Sequence, residues 1–170
     1  MLIVYSRGMD KRDYTHLRYT LPHSAMVYPA SLGDRLKYWF WRAFHPIHPY
    51  VRDAIIALRI YKYEGRQDYL IGKIAPGLSI EEIVSHLIEQ GYSNHFIALE
   101  DPGEVVSLRY TDSFKYQYHI RVFEDGEVRA HYEFTPECHP ILHMKNGTWE
   151  DRRHEFLTLL GHRIVPVQEL

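Results

Sequence analysis

Residues 114–134 read FKYQYHIRVFEDGEVRAHYEF, and the way that stretch folds back on itself restricts everything around it. Aromatic and β-branched residues alternate with charged ones on both sides of Glu124-Asp125-Gly126, the pattern of two paired strands. Two turns are open to it. A two-residue Asp125-Gly126 turn would set Phe123 against Val128 and mix charge with apolar bulk on each face. A three-residue turn, with Gly126 left-handed in a G1 bulge, sets Phe123 against Glu127 and sorts the faces. One face then carries Tyr116, Tyr118, Ile120, Val122, Val128, Ala130, Tyr132 and Phe134. The other carries Gln117, His119, Arg121, Phe123, Glu127, Arg129, His131 and Glu133. A slip of one residue would exchange the faces, so a buried face holds its register firmly. The three-residue turn is therefore expected, with His119 opposite His131 and Arg121 opposite Arg129.

The rest of the chain supplies more strands and several helices. His95–Glu100 and Glu104–Tyr110 read as strands around an Asp101-Pro102-Gly103 turn, and with the hairpin they make a meander of about four antiparallel strands over residues 95–134. Val106, Leu108 and Tyr110 extend the apolar face, and Ser107 and Arg109 the polar one. An additional hairpin is expected over 55–74, with a Val51–Tyr63 helix as its competitor; β-branched and aromatic enrichment favours strands. Ser79 and Glu82 form a capping box ahead of the stripe Ile80, Ile83, Val84, Leu87 and Ile88, with Gly91 as the stop. Ser31 caps a second helical pattern, Leu32, Leu36, Trp39, Phe40 and Ala43, ended by His45-Pro46 and His48-Pro49. Thr148 opens a last helix carrying Trp149, Phe156, Leu157 and Leu160. Helices packed on one face of an antiparallel sheet make an α+β domain. Residues 1–50 read as an N-terminal arm and aromatic helix docked on a core of residues 51–170.

Composition narrows the setting. With 45% hydrophobic and 25% charged residues, the 170-residue chain matches a soluble globular domain. Its single cysteine, Cys138, allows no internal disulfide, which points to a reducing cytoplasm. No apolar run is long enough for a membrane span. Residues 1–74 carry 12 basic and 6 acidic side chains, whereas the remainder carries 8 and 16. Such asymmetry belongs either to a basic arm that meets an anionic surface or to two halves that neutralise each other.

Chemistry concentrates on the polar face of the hairpin. His119 and His131 are candidates for acid–base catalysis on a phosphodiester without metal. Arg109, Gln117, Arg121, Arg129 and Glu133 are candidates for holding an anionic ligand, with a nucleic-acid backbone the first choice. Three guanidiniums at cross-strand spacing repel unless an anion or a carboxylate lies between them. The plain counterpart is a solvated face of weak Arg–Glu pairs. The triplets His119-Ile120-Arg121 and His131-Tyr132-Glu133 lack the His-x-Thr/Ser pair of two-histidine phosphoesterases. No cofactor is expected. Cys138, His139 and His143 form a minor alternative for zinc, since a helix starting at Pro140 would put the two histidines one turn apart. The aromatic helix 32–44 is a candidate surface for a protein partner or a second copy. No Walker loop, dinucleotide fingerprint, zinc-protease helix or nucleophile elbow is present.

Overall fold

A computed structural model describes residues 31–47, 50–51, 54, 57–58, 69–94, 103–139, 143 and 151–167. The N-terminal arm, the expected strand 95–100 and Thr148 lie outside the described residues. Among the described residues, three continuous helices and a six-stranded antiparallel sheet make an α+β architecture. The helices are α1 (Leu32–Phe44), α2 (Ile80–Glu89) and α3 (Arg153–Leu160). The strands are β1 (Leu70–Ile74), β2 (Ser93–Asn94), β3 (Glu104–Thr111), β4 (Tyr116–Phe123), β5 (Glu127–Phe134) and β6 (Ile164–Pro166). Across the sheet they run β2-β3-β4-β5-β1-β6.

The central hairpin has the three-residue turn. Gly126 sits at φ 81°, and its N–H donates to the Phe123 carbonyl at 2.9 Å. His119 faces His131, Arg121 faces Arg129 and Val122 faces Val128. On β3, Arg109 lies beside His119 and Ser107 beside Arg121, with an irregularity between Glu104 and Val106.

Helix α2 begins where its capping box requires. Ser79 Oγ accepts from the Glu82 N–H at 3.2 Å, and the Glu82 carboxylate takes the Ser79 N–H at 2.7 Å. Ser31 likewise caps α1, accepting from the Asp34 N–H at 3.1 Å. Helix α3 starts at Arg153, later than Thr148, with Asp151 Oδ1 accepting the Arg153 N–H at 2.9 Å. Ile80, Ile83, Val84 and Leu87 of α2 and Phe156 and Leu160 of α3 cover the apolar sheet face, against Leu108, Ile120, Val122, Val128 and Ala130. Each large aliphatic chain taken wholly out of water contributes about 1.5–3 kcal/mol, so this layer dominates stability.

Two expectations need correction. The 55–74 hairpin does not form as drawn. Tyr50, Val51, Ala54 and Ala57 are helical, and the Leu58 N–H donates to the Ala54 carbonyl at 2.9 Å, as the competing helix requires. Among the described residues of this stretch the strand is Leu70–Ile74, and β1 is inserted between β5 and β6. Gly72 makes that insertion possible, because a Cβ there would lie 2.4 Å from the Val165 carbonyl oxygen. Second, the polar face of the hairpin is closed to solvent except at Glu127 and Arg129 by the turn. Gln117, His119, Arg121 and His131 are completely buried and Arg109 and Glu133 are 1% exposed. The sheet is buried on both faces, one apolar and one charged. Along α1, Trp41 is buried while Leu32, Leu36, Trp39 and Phe40 are exposed. No helix among the described residues is long and apolar enough to cross a membrane.

Candidate metal centre

Charge buried on the second face is sorted into pairs. Arg109 bonds Glu137 through both of its terminal nitrogens, at 2.8 and 3.1 Å, and donates to Gln117 Oε1 at 3.2 Å. Arg121 lies 3.8 Å from the Glu104 carboxylate. Arg129, nearer the surface, holds Glu127 at 2.6 Å. The rings take part as well, since Phe123 is flanked by the guanidiniums of Arg121 and Arg129, 5.6 and 4.9 Å from its centroid. The repulsion expected among three arginines is therefore answered from within the chain, each guanidinium having a carboxylate.

Glu133 is left to the histidines. Its Oε1 accepts from Gln117 Nε2 at 2.8 Å and lies 3.1 Å from His119 Nδ1. Its Oε2 lies 3.3 Å from His131 Nε2 and 3.1 Å from His143 Nδ1. Neither approach to Oε2 has the angle of a hydrogen bond, although the atom is wholly buried. His119 Nδ1 and His131 Nε2 are themselves 3.3 Å apart, their rings nearly perpendicular. Two imidazole nitrogens and a carboxylate thus point at one another in a closed space. Among the described residues, His119, His131 and Glu133 are the one group whose ligand atoms cluster closely enough to share a metal ion.

Neighbouring groups fix which atoms face inward. Ser107 Oγ is 2.7 Å from His119 Nε2, so the serine occupies the outer nitrogen and turns Nδ1 to the centre. A partner on the far nitrogen is how ligating imidazoles are usually oriented. His143 Nδ1 is 2.9 Å from the Phe134 carbonyl oxygen. A carbonyl only accepts, so this nitrogen carries a proton and has no lone pair to offer a metal. Tyr69 packs its ring 5.8 Å from that of His131 while its backbone sits at φ 68°. Left-handed backbone at a bulky side chain is strained, and such strain collects around functional sites.

Electrostatics follow from burial. Desolvation by itself would raise the Glu133 carboxyl, but charge at His143 and His131 and a hydrogen bond from His119 outweigh it and hold the group well below the ordinary carboxylate value. With Glu137 and Glu104 matched by Arg109 and Arg121, the groups among the described residues that face Glu133 and can carry balancing charge are the imidazoles.

The Cys138, His139 and His143 alternative is drawn apart. The His143 N–H donates to the His139 carbonyl at 2.8 Å, as a helical turn from Pro140 requires, but the side chains take different neighbours. His143 turns to Glu133, whereas His139 packs edge-on against the Phe134 ring at 5.0 Å. Cys138 is buried, and burial pushes its thiol up. Three contributors were not singled out by patterning: Glu104, Glu137 as an arginine partner, and Tyr69. Glu104 reaches the polar face through the irregularity after it in β3, which alternation does not reveal. A comparison of the chain with protein-family models, curated proteins and solved structures finds no match. Its chemistry has to be read from its own donors.

Proposed function

We propose that this protein binds a divalent first-row transition-metal cation, Zn²⁺ or Fe²⁺ in class, through His119 Nδ1, His131 Nε2 and the Glu133 carboxylate. The spacing of the three donors carries the reading. Ligand atoms about 2.0–2.1 Å from one ion lie roughly 3.3 Å apart around a tetrahedron and roughly 3.0 Å apart at neighbouring corners of an octahedron. The two imidazole nitrogens are 3.3 Å apart, His119 Nδ1 is 3.1 Å from Oε1 and His131 Nε2 is 3.3 Å from Oε2, so the carboxylate meets each histidine with a different oxygen; taken one atom per residue, the three donors lie within 4.8 Å of one another. Two imidazoles and one carboxylate suit zinc and non-haem iron alike. Among the described residues these three are the donors, since His143 spends its Nδ1 proton on Phe134, and a further coordination position would be left for a water. The cation would also supply the charge that Glu133 needs in an interior where an uncompensated carboxylate is costly. A reducing cytoplasm suits the lone buried thiol of Cys138.

Metal analysis of the purified chain, followed by titration of chelator-stripped protein with Zn²⁺ and Co²⁺, tests this. One equivalent of metal and a raised melting temperature are expected in the wild type, and both should be lost in His119→Ala and His131→Ala. A stripped protein that takes up neither ion would mean that a shared proton, rather than a metal, holds the histidines to Glu133.

A further inference from the structure

On the other face of the sheet, an open cleft of about 280 Å³ lies between the end of α2 and α3. That volume is at the small end of ligand sites, which run to roughly 300–1,000 Å³. Three tyrosines line it: Tyr92 just past α2, Tyr110 on β3 and Tyr118 on β4. Their rings follow one another at centroid spacings of 5.7 and 6.2 Å, tilted by 38° and 52°. Gln90, Glu155, Phe156 and Leu159 complete the wall.

Cations already sit on the continuation of this ring row. The Arg152 guanidinium lies 3.7 Å from the Tyr132 centroid and 5.7 Å from that of Tyr118, and Lys115 lies 5.0 Å from that of Tyr116. The faces of these rings are thus used electrostatically by the chain's own cations. Glu155 adds a carboxylate at the rim, half exposed, which accepts from the Tyr118 hydroxyl at 2.5 Å and is shared with Arg152, whose Nη1 lies 3.5 Å away.

We infer that this cleft binds a trimethylammonium group, on a free quaternary amine or on a methylated lysine side chain. Ring faces and a rim carboxylate attract positive charge, and a quaternary nitrogen has no N–H groups that the few polar atoms of the cleft would have to satisfy. A primary ammonium would need three acceptors there. The inference is independent of the metal centre, which lies on the opposite face.

Titration of the full chain with choline, with a trimethyl-lysine peptide and with 3,3-dimethylbutan-1-ol, the uncharged carbon isostere of choline, is the test. Saturable binding of choline or the peptide is expected, with the neutral isostere about tenfold weaker or worse. Which of the two binds more tightly identifies the source of the group. Tyr110→Leu, at a position 42% exposed, should lower the affinity about tenfold without unfolding the chain, and Glu155→Gln should lower it less. Equal binding of the neutral isostere, unchanged affinity in a folded Tyr110→Leu variant, or no saturable binding of either cation would overturn the proposal.

Discussion

Replacing Glu133 by glutamine keeps the shape of the side chain and removes its charge. The structure sets the size of the effect. Glu133 is 1% exposed, with imidazole nitrogens at 3.1, 3.1 and 3.3 Å and the Gln117 amide at 2.8 Å. Breaking a buried ionic cluster from one side destabilises by about 3–5 kcal/mol. A glutamine whose oxygen faces Gln117 retains one neutral hydrogen bond, about 1 kcal/mol. The expected loss is therefore about 2–4 kcal/mol, or roughly 4–16 °C in melting temperature for a chain of this length. Glu127→Gln is the matched control: its bond to Arg129 is shorter, at 2.6 Å, but it lies near the surface, where such pairs contribute about 0–1 kcal/mol. Urea and thermal denaturation of wild type, Glu133→Gln and Glu127→Gln at pH 7 would be measured after stripping and again with Zn²⁺. Bound metal at a hundredfold excess over its dissociation constant adds about 2.7 kcal/mol to the wild type and should add nothing to Glu133→Gln. If Glu133→Gln matches Glu127→Gln in both conditions, the assignment of the buried face as an ionic centre is refuted.

Acidification should act through the same carboxylate. Its folded value is depressed, so the unfolded chain takes up the proton first, and stability falls as pH drops from about 4.5 toward the lower folded value; denaturation midpoints against pH should show this slope in the wild type and a flatter one in Glu133→Gln. Ser107→Ala should leave the fold intact and weaken metal affinity about 10–100-fold by freeing the outer nitrogen of His119, read by competition with a chromophoric chelator. Gly72→Ala should destabilise by more than about 1–3 kcal/mol, because the added methyl meets backbone rather than a movable side chain, with loss of amide protection across β1 and β6. Arg153→Lys should destabilise by about 1–3 kcal/mol in urea denaturation: the guanidinium donates to the Leu70, Ile71 and Val167 carbonyls at once, and an ammonium cannot reproduce that fork.

What could be read in advance was local. The register of the central hairpin follows from one turn and two alternating strands, and the starts of α1 and α2 from Ser31 and the Ser79–Glu82 box. What could not be read depends on what lies next to an element. Alternation puts Gln117, His119, His131 and Glu133 on one face, but it does not say whether water or protein covers that face. The β-branched run around Ile55 supports a strand by composition, yet the Ala54–Leu58 bond is helical, because β-branched residues lower helix propensity only slightly and do not forbid a helix. Glu104 joins Arg121 only because β3 is irregular beside it, and Tyr69 reaches His131 through a backbone angle that its residue type disfavours. Residue types, cross-strand partners and the identity of the polar face were therefore legible, while burial and the choice of cation were not.

The strand order also implies a sequence in time. β3, β4 and β5 are joined by turns of a few residues, whereas β1 must find β5 across the Leu70–Arg129 pairing and β6 must find β1 across Gly72–Pro166. Closing longer loops forfeits more chain entropy before any contact forms, so nearby pairings are made first. His119, His131 and Glu133 all belong to β4 and β5, the earliest hairpin, and each is sealed off in the finished molecule. A cation at this centre would be captured most readily by a half-built sheet, and in the finished molecule it would come and go only through opening of the strands around it. Stripping and reloading would then be slow next to binding at a surface site, paced by that opening.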